Sequence, residues 1–424
     1  MAIDTAAKRA AALRALRGMI LPDGQLADPA DRAAMVGAYY VTPIYVDLTV
    51  DLRWEIGASP ARISRALSGD DGPVRLDYRF ERRTIANGFL ADVSEHFEAR
   101  GCSIDGNNDR DVFRTATFAM LDNDAVNPLA DHIAVIGELL VDHSLLVDIP
   151  AGLFALNVPR KSHRPGLSKW AVVANDLTMH LIEATTTSSY TVASGANYIT
   201  GTNGVKAILD ALGLRNALPA NTLTLPVART WAPGTTWLRV VNDLLHDCNF
   251  YSLWFDATGV AVTRVSDDLL ARTADATYAD SDFVLIPIDE EADTTRFANQ
   301  VVVYVDDPAR APLSSVRTNA DPDSPTSTVT LGRTITKTLQ STAADQTTLD
   351  AIAVSELQQA GSMYRRATLV TQPDPRRGAH EVLALDVDGV FAAENWWSRN
   401  WVLPLANGAQ MKHAVAKVEK VVAS

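Results

Sequence analysis

The segment 231–264 restricts the fold of this chain more than any other stretch, because it specifies a helix, a turn and a strand pair in succession. Asn249 ends the helix, and residues 250–255 then alternate aromatic and polar side chains, as a half-buried strand does. Residues 256–259 supply a turn that ends in glycine, and residues 260–263 run back. The helix carries apolar side chains at steps of three and four residues, which places on one face Trp237, Leu238, Val241, Leu244, Leu245 and Cys248.

Short strands separated by polar turns dominate the part of the chain before this segment. Strict alternation over residues 46–52 gives the clearest strand pattern. Such regular strands indicate an antiparallel barrel or sandwich rather than a parallel α/β sheet. Residues 159–165 (PRKSHRP) are basic and bounded by prolines, which predicts a connector to the next domain. The further strands predicted in this region are 89–98, 112–121, 131–141 and 145–158.

The chain therefore divides into regions that differ in their predicted secondary structure. The predicted fold class is α+β with β predominating. An N-terminal helical arm precedes the first β region, and Lys8, Arg9, Arg14 and Arg17 make this arm basic. A second β region at the end contains one helix, predicted over residues 343–360. The predicted domains are the arm at 1–41, a first β domain at 42–159, an α/β middle domain at 160–282 and a second β domain at 283–424.

Composition excludes several classes of protein. The net charge of −13 argues against nucleic acid or an anionic membrane as the main partner of the outer surface. Two cysteines provide neither a disulfide framework nor a four-ligand zinc site. No apolar run reaches the length of a membrane span, so no membrane insertion is predicted. The N-terminal segment has no uninterrupted apolar core, which argues against a secretory signal and predicts assembly in the cytosol.

Candidate catalytic groups cluster most closely at the end of the helix in 231–264. Two acids, a histidine and a cysteine lie within six residues of one another: Asp243, His246, Asp247 and Cys248. A nucleophilic cysteine needs a neighbouring base and a lowered pKa. Because Cys248 falls on the apolar face, a buried and inert thiol is the favoured interpretation.

Two further patterns suggest chemistry but are better explained as structure. Residues 105–116 begin like a calcium-binding loop, yet Arg110 occupies the position that needs glycine and Ala116 the position that needs glutamate, which favours a hairpin turn. The eight histidines show no paired metal-binding spacing, so neither a metal nor another cofactor is predicted.

Three tryptophans could form a sugar-binding platform, although strand and core positions are the favoured interpretation: Trp396, Trp397 and Trp401. A catalytic pair among the 51 acidic residues stays open, because the separation of such a pair is spatial.

The order of these features resembles the phage tail baseplate hub, or tail-tip hub, family, which is related to the spike hubs of type VI secretion. The resemblance covers about 80% of the chain by loose patterns, and the stretch 57–85 departs from it. The matching segments are 114–118 (RTATF), 122–124 (DND), 152–156 (GLFAL), 159–160 (PR) with Asp176, 190–212, 237–259, 321–327 (DPDSPTS), 332–333 (GR), the helix at 343–360, and 404–405 (PL) with Met411.

The resemblance implies two tube-like antiparallel β-barrel domains per chain, related by a pseudo-twofold step. A homotrimer would then present six similar barrels and match a sixfold tail tube to a threefold tip. The implied partners are other copies of the chain, the distal tail or tail tube protein, the tape measure protein and the tip or fibre proteins. DNA would be in contact only in transit. The implied location is the tail tip of a virion, and no catalysis is implied.

Two other functions stay open at this stage. One is a tail-associated hydrolase of cell-wall polymers, and the other is a receptor-binding tail protein that uses the C-terminal tryptophans. For a hub, we expect a cluster of acids to line or edge the lumen and repel passing DNA: Asp289, Glu290, Glu291 and Asp293. We also expect the arm, with Lys8, Arg9, Arg14 and Arg17, to bind a neighbouring subunit.

Overall fold

A computed structural model gives the architecture of most of the chain, and its described residues belong to the compact unit 57–424. The predicted strand at 46–52 and the basic arm at 1–41 lie outside the described residues. The structure describes residues 59–67, 74–122, 124–164, 167–266, 269–279, 289–292, 297–308, 311–362, 365–387 and 391–418.

The first β region forms a run of antiparallel strands in the order β2-β1-β5-β6-β7-β4-β3. It is preceded by helix α1, Pro60–Leu67. Asp142 and His143 both have positive φ in the loop between β5 and β6, as a two-residue hairpin that follows the strand twist requires. The strands are β1 Val74–Arg83, β2 Phe89–Asp92, β3 Ser103–Asn107, β4 Arg114–Leu121, β5 His132–Val141, β6 Ser144–Arg164 and β7 Leu167–Asp176.

The hairpin of β6 and β7 is longer than its neighbours. Residues 156–164 of β6 pair with β7 alone, since β5 reaches only to Ala155. The connector predicted at 159–165 is therefore wrong: residues 160–164 continue the ladder with 167–171. The predicted domain boundary at 159 and 160 falls inside this strand.

The C-terminal β region supplies the other strands of the same sheet. Their order is β13-β17-β20-β19-β18-β12, antiparallel except for the parallel pair β12 and β18. The strands are β12 Ala276–Ala279, β13 Asp289–Ala292, β17 Arg365–Thr371, β18 Val382–Val387, β19 Phe391–Pro404 and β20 Met411–Lys417.

Strand β19 joins the two β regions into a sheet of thirteen described strands. One edge of β19 pairs with β20. The other edge pairs first with β18, up to Trp397, and then with β3, from Asn400 to Pro404. The mostly β fold is thus confirmed, but neither of the two predicted closed barrels is present among the described strands. The reason is that β19 is long enough to pair with both regions in turn.

The middle region confirms the helix predicted in 231–264. Thr236 caps this helix by accepting a hydrogen bond from the Arg239 backbone N–H at 3.3 Å, and the apolar face is buried. Gly259 has a φ of 74° and packs its turn against Leu153 of β6. The elements here are α2 Thr178–Glu183, β8 Tyr190–Val192, α3 Val205–Ala211, β9 Arg229–Trp231, α4 Trp237–His246, β10 Trp254–Phe255 and β11 Ala261–Val262.

A smaller three-stranded sheet forms from residues 300–340. Its central strand β14, Gln300–Val305, is antiparallel to β15, Leu313–Thr318, and parallel to β16, Thr336–Gln340. Helix α5, Thr328–Leu331, precedes β16, and helix α6, Gln346–Gly361, covers the sheet and confirms the predicted helix. The core between α6 and the sheet contains Val301, Val303, Val305, Leu349, Ala353 and Leu357.

No helix in the described part of the chain has the length and apolar character needed to cross a membrane.

Candidate functional site

The thiol of Cys248, which is close to Asp243 and His246 in the sequence, is buried in the structure. Cys248 is buried, and its Sγ donates to the carbonyl oxygens of Leu244 and Leu245 at 3.3 and 3.4 Å. Burial raises the pKa of the Cys248 thiol to about 12, so the nucleophilic thiolate is disfavoured. His246 pairs through Nε2 with Ser252 Oγ at 2.9 Å instead of with the thiol. The three groups therefore form no catalytic unit.

The acids of α4 serve an ionic cluster around Arg229. Arg229 Nη2 lies 3.0 Å from Asp243 Oδ2, and Nη1 bonds to Asp247 and to Thr342 Oγ1. Trp231 Nε1 also donates to Asp243 Oδ2, at 2.8 Å. Because β9, α4 and the segment before α6 all contribute, this cluster ties the middle region to the three-stranded sheet.

A cleft of about 620 Å³ opens beside this cluster, between α4, α6 and the loop 108–113. Three of the acids that line it have basic partners: Asp243 and Asp247 bond to Arg229, and Glu356 pairs with Lys337 at 2.8 Å. Asp111 also lines the cleft. Among the described residues, no three His, Cys, Asp or Glu side chains converge in a way that could hold a metal ion. The cleft also contains a hydroxyl beside an imidazole, Ser252 Oγ at 2.9 Å from His246 Nε2, whereas Asp243 and Asp247 are engaged by Arg229.

His380 closes the end of the cleft as a packing residue. Its ring stacks on Tyr251, with centroids 4.0 Å apart and planes at 13°. Its backbone N–H donates to Asn108 Oδ1 at 3.0 Å, and its carbonyl accepts from Arg272 Nη1 at 3.0 Å. Burial lowers the pKa of His380 to about 3, so the ring is neutral at physiological pH. The residue joins three parts of the fold.

The three C-terminal tryptophans are core residues. Trp396, Trp397 and Trp401 are 0%, 3% and 1% exposed. A sugar-binding platform needs open aromatic faces, so these side chains cannot form one in this structure.

The structure locates only part of the predicted acidic cluster. Residues 289–291 lie on β13, where they pair with Thr368, Ala367 and Arg366 of β17. β13 ends the order of described strands on that side of the sheet. Asp293 lies outside the described residues, as do the arm residues Lys8, Arg9, Arg14 and Arg17.

An apolar edge at the opposite end of the sheet was not identified as a surface from the sequence. Phe89 and Leu90 of β2 are 55% and 49% exposed, and β2 is the last described strand at that end. Exposed apolar groups on an edge strand are typical of a contact with another chain. The signal in the sequence was the adjacent pair Phe89-Leu90 after a glycine, which predicts a strand but not which side of it faces solvent.

Comparison with known proteins finds similar architectures among solved structures. No protein-family model and no curated protein matches the sequence. Among solved structures, the tail protein from Neisseria meningitidis MC58 matches with a TM-score of 0.55 and 14% identity, over 80% of this chain and 97% of that one. The 43 kDa tail protein of prophage MuSo2 from Shewanella oneidensis matches with a TM-score of 0.54 and 8% identity, over 80% and 98%. The chain shares the fold of these two tail proteins.

The tail-protein fold confirms the resemblance predicted from the sequence. A chain of the Francisella PdpA-VgrG complex also matches, with a TM-score of 0.44 and 9% identity, over 97% of this chain and 69% of that one. Both tail proteins match almost from end to end, and each match covers 80% of this chain.

Proposed function

We propose that this chain is a structural hub subunit of a phage tail tip. Three copies would form a ring that joins the tail tube to the central tip or fibre and lets DNA and the tape measure protein pass. The observation that supports this most is the match to nearly the whole length of two tail proteins, at 97% and 98% of their chains. The candidate catalytic groups contribute to packing and ion pairs, which fits a structural role.

The two joined β regions support the proposed symmetry of the ring. Each chain carries one β region before the middle segment and one after it, and β19 connects them directly. In a trimer, six such regions would surround the axis, so a sixfold tube could contact a threefold tip. The tail tube or distal tail protein would bind one side of this ring, and the tip or fibre proteins the other.

The acidic segment and the basic arm have distinct roles in this proposal. Asp289, Glu290, Glu291 and Asp293 would line or edge the lumen, where negative charge repels passing DNA. The arm 1–41 would lie on a neighbouring subunit, and its basic side chains Lys8, Arg9, Arg14 and Arg17 suit the acidic surface of a chain with a net charge of −13.

Two measurements test the proposal: the mass of the chain in solution, and its symmetry in the assembled tail tip. Light scattering on the purified chain is expected to give three times the chain mass. Cryo-electron microscopy of the tail tip should place a threefold ring of this chain between tube and fibre. A monomer that cleaves cell-wall polymer, or density only at a fibre end, would contradict the proposal and favour the hydrolase or the receptor-binding protein.

A further inference from the structure

Two histidines meet where the large sheet contacts the middle region. His132 is the first residue of β5, and His180 lies in α2. Their Nε2 atoms are 2.9 Å apart, and their ring centroids are 5.2 Å apart with planes tilted by 37°. The two residues are 48 positions apart in the sequence, so only the fold brings them together. No regular histidine spacing could reveal this pair.

The separation of the two nitrogens matches the spacing of two ligands on one metal ion. Imidazole nitrogens bind zinc at about 2.0–2.1 Å, so two of them at angles of about 90–109° lie roughly 2.8–3.4 Å apart. The observed 2.9 Å falls inside that range. A simple N–H···N hydrogen bond gives the same distance, so the geometry supports both interpretations and only an experiment separates them.

The pair is partly exposed: both side chains are half-buried, His132 at the start of β5 and His180 in α2. A neutral imidazole is the form that binds a metal, so binding is expected to weaken as the pH falls.

We propose that His132 and His180 bind one divalent transition-metal ion of the type that prefers imidazole, such as Zn²⁺, Ni²⁺ or Cu²⁺. Water would complete the coordination, because no third His, Cys, Asp or Glu of the described residues joins a metal-binding group. Such a site exchanges its ion readily. Its ion would link β5 to α2 and so stabilise the joint between the large sheet and the middle region.

The other histidines provide controls. His143 lies exposed in the β5–β6 turn, whereas His380 is partly buried against Tyr251 and His413 is buried beside Thr371. His143 is therefore the matched control: it is a solvent-exposed histidine near the same strand without a second imidazole in contact among the described rings. Residues 1–58 contain no histidine.

The test uses the full chain without an affinity tag. Calorimetric titration with Zn²⁺ or Ni²⁺ is expected to give one ion per chain, and the thermal unfolding midpoint should rise with ion concentration. His132→Ala and His180→Ala should each weaken binding by more than the roughly tenfold to hundredfold that loss of an outer partner costs. His143→Ala should leave binding unchanged.

A measurement on the unaltered protein keeps the test independent of folding in the variants. Electron paramagnetic resonance of bound Cu²⁺ is expected to show coupling to two imidazole nitrogens. Absence of saturable binding, a spectrum without that coupling, or binding that persists in both alanine variants would overturn the proposal. The pair would then be a hydrogen bond alone.

Discussion

Trp401 of β19 lies directly across from Gly106 of β3, and its indole covers the glycine. A Cβ atom at position 106 would clash with the Trp401 ring, because it would lie less than 3.0 Å from the atoms Cε2, Cζ2 and Nε1. Phe113 packs edge-on against the same indole, with centroids 6.1 Å apart. Since β3 and β19 hold the two β regions together, this pair lies at the seam of the large sheet.

Gly106→Ala is expected to destabilise the chain because the strand or the indole must move to admit the new methyl group. Overpacking of this kind costs typically about 1–3 kcal/mol. Trp401→Ala removes the indole and should cost about 3–5 kcal/mol by leaving a cavity. In the Trp401→Ala background, Gly106→Ala should cost little, because the clash is gone. Urea unfolding of the four proteins measures the difference.

A substitution elsewhere on β19 shows whether the loss of stability comes from the contact between Gly106 and Trp401 or from any side-chain truncation on this strand. Val402 is 37% exposed, so Val402→Ala should change the unfolding midpoint only slightly. Strictly additive costs for Gly106→Ala and Trp401→Ala would contradict direct contact between the two side chains.

A buried ionic group near the start of β18 predicts how stability depends on pH. Asp374 accepts from Arg376 Nε at 2.9 Å and pairs with Arg377 Nη2 at 3.1 Å, and Arg377 reaches Glu381 at 3.3 Å. Burial alone would raise the pKa of Asp374, but the charge of Arg377 and the bonds from Arg376 outweigh it and hold the pKa well below its ordinary value. The charged carboxylate is therefore part of the folded state.

Asp374→Asn is expected to lower the free energy of unfolding at neutral pH by roughly 3–5 kcal/mol, because the buried Arg377 loses one of its two carboxylate partners and keeps only Glu381. A depressed pKa stabilises the fold above the unfolded value, about 3.9, and this contribution declines as pH falls toward the folded value. The gap between wild type and variant should therefore be constant from pH 7 to about 5 and shrink below about 4. Urea unfolding across this range measures it.

The matched control for this charge change is Asp210→Asn. Asp210 is an exposed acid that pairs with Lys206 on α3, so its loss should barely move the unfolding midpoint at any pH. A gap for Asp374→Asn that stays constant down to pH 3 would show that the carboxylate charge is not what stabilises the site.

Both cysteines should resist modification in the folded chain. Burial raises the pKa of Cys102 to about 11 and that of Cys248 to about 12, so thiolate is scarce and shielded. A thiol reagent added to native protein is expected to label neither residue on the timescale of minutes, and to label both after guanidinium chloride unfolds the chain. Rapid labelling of Cys248 in the native state would reopen the possibility of a reactive thiol.

Local patterns in the sequence predicted the elements whose signals are also local. The apolar spacing over 237–248 gave α4, and the turn before Gly259 formed with the expected positive φ. The same spacing placed Cys248 in the core. The helix predicted at 343–360 is present as α6, Gln346–Gly361, with Leu349, Ala353 and Leu357 facing the small sheet.

Features that depend on contacts between distant segments could not be predicted. The pairing of β19 with β3 joins residues about 300 positions apart, and nothing local indicates that one strand serves two neighbours. Prolines at 159 and 165 predicted a break, yet a bulge between Asn157 and Arg160 lets β6 continue past the first of them. His132 and His180 likewise carry no shared motif.

Neutralising the predicted acidic cluster tests whether negative charge in the lumen matters. The variant combines Asp289→Asn, Glu290→Gln, Glu291→Gln and Asp293→Asn. Particles are expected to assemble normally, because the first three positions keep the backbone pairing of β13 with β17. Genome ejection should slow by a measurable factor, since DNA no longer meets repulsive charge on its way through the ring. Ejection is followed by dye release from receptor-triggered particles.

A control variant tests whether slower genome ejection depends on where the acidic residues lie rather than on the net charge of the chain. A control variant removes four exposed acids elsewhere, with the same change in net charge: Asp142, Glu183, Asp306 and Asp386. It should eject DNA at the wild-type rate. Raising the salt concentration should narrow the difference between the wild type and the 289–293 variant, since salt screens charges about 8 Å apart or more at physiological strength. Equal slowing in both variants, or ejection unchanged in the 289–293 variant, would place these acids away from the path of the DNA.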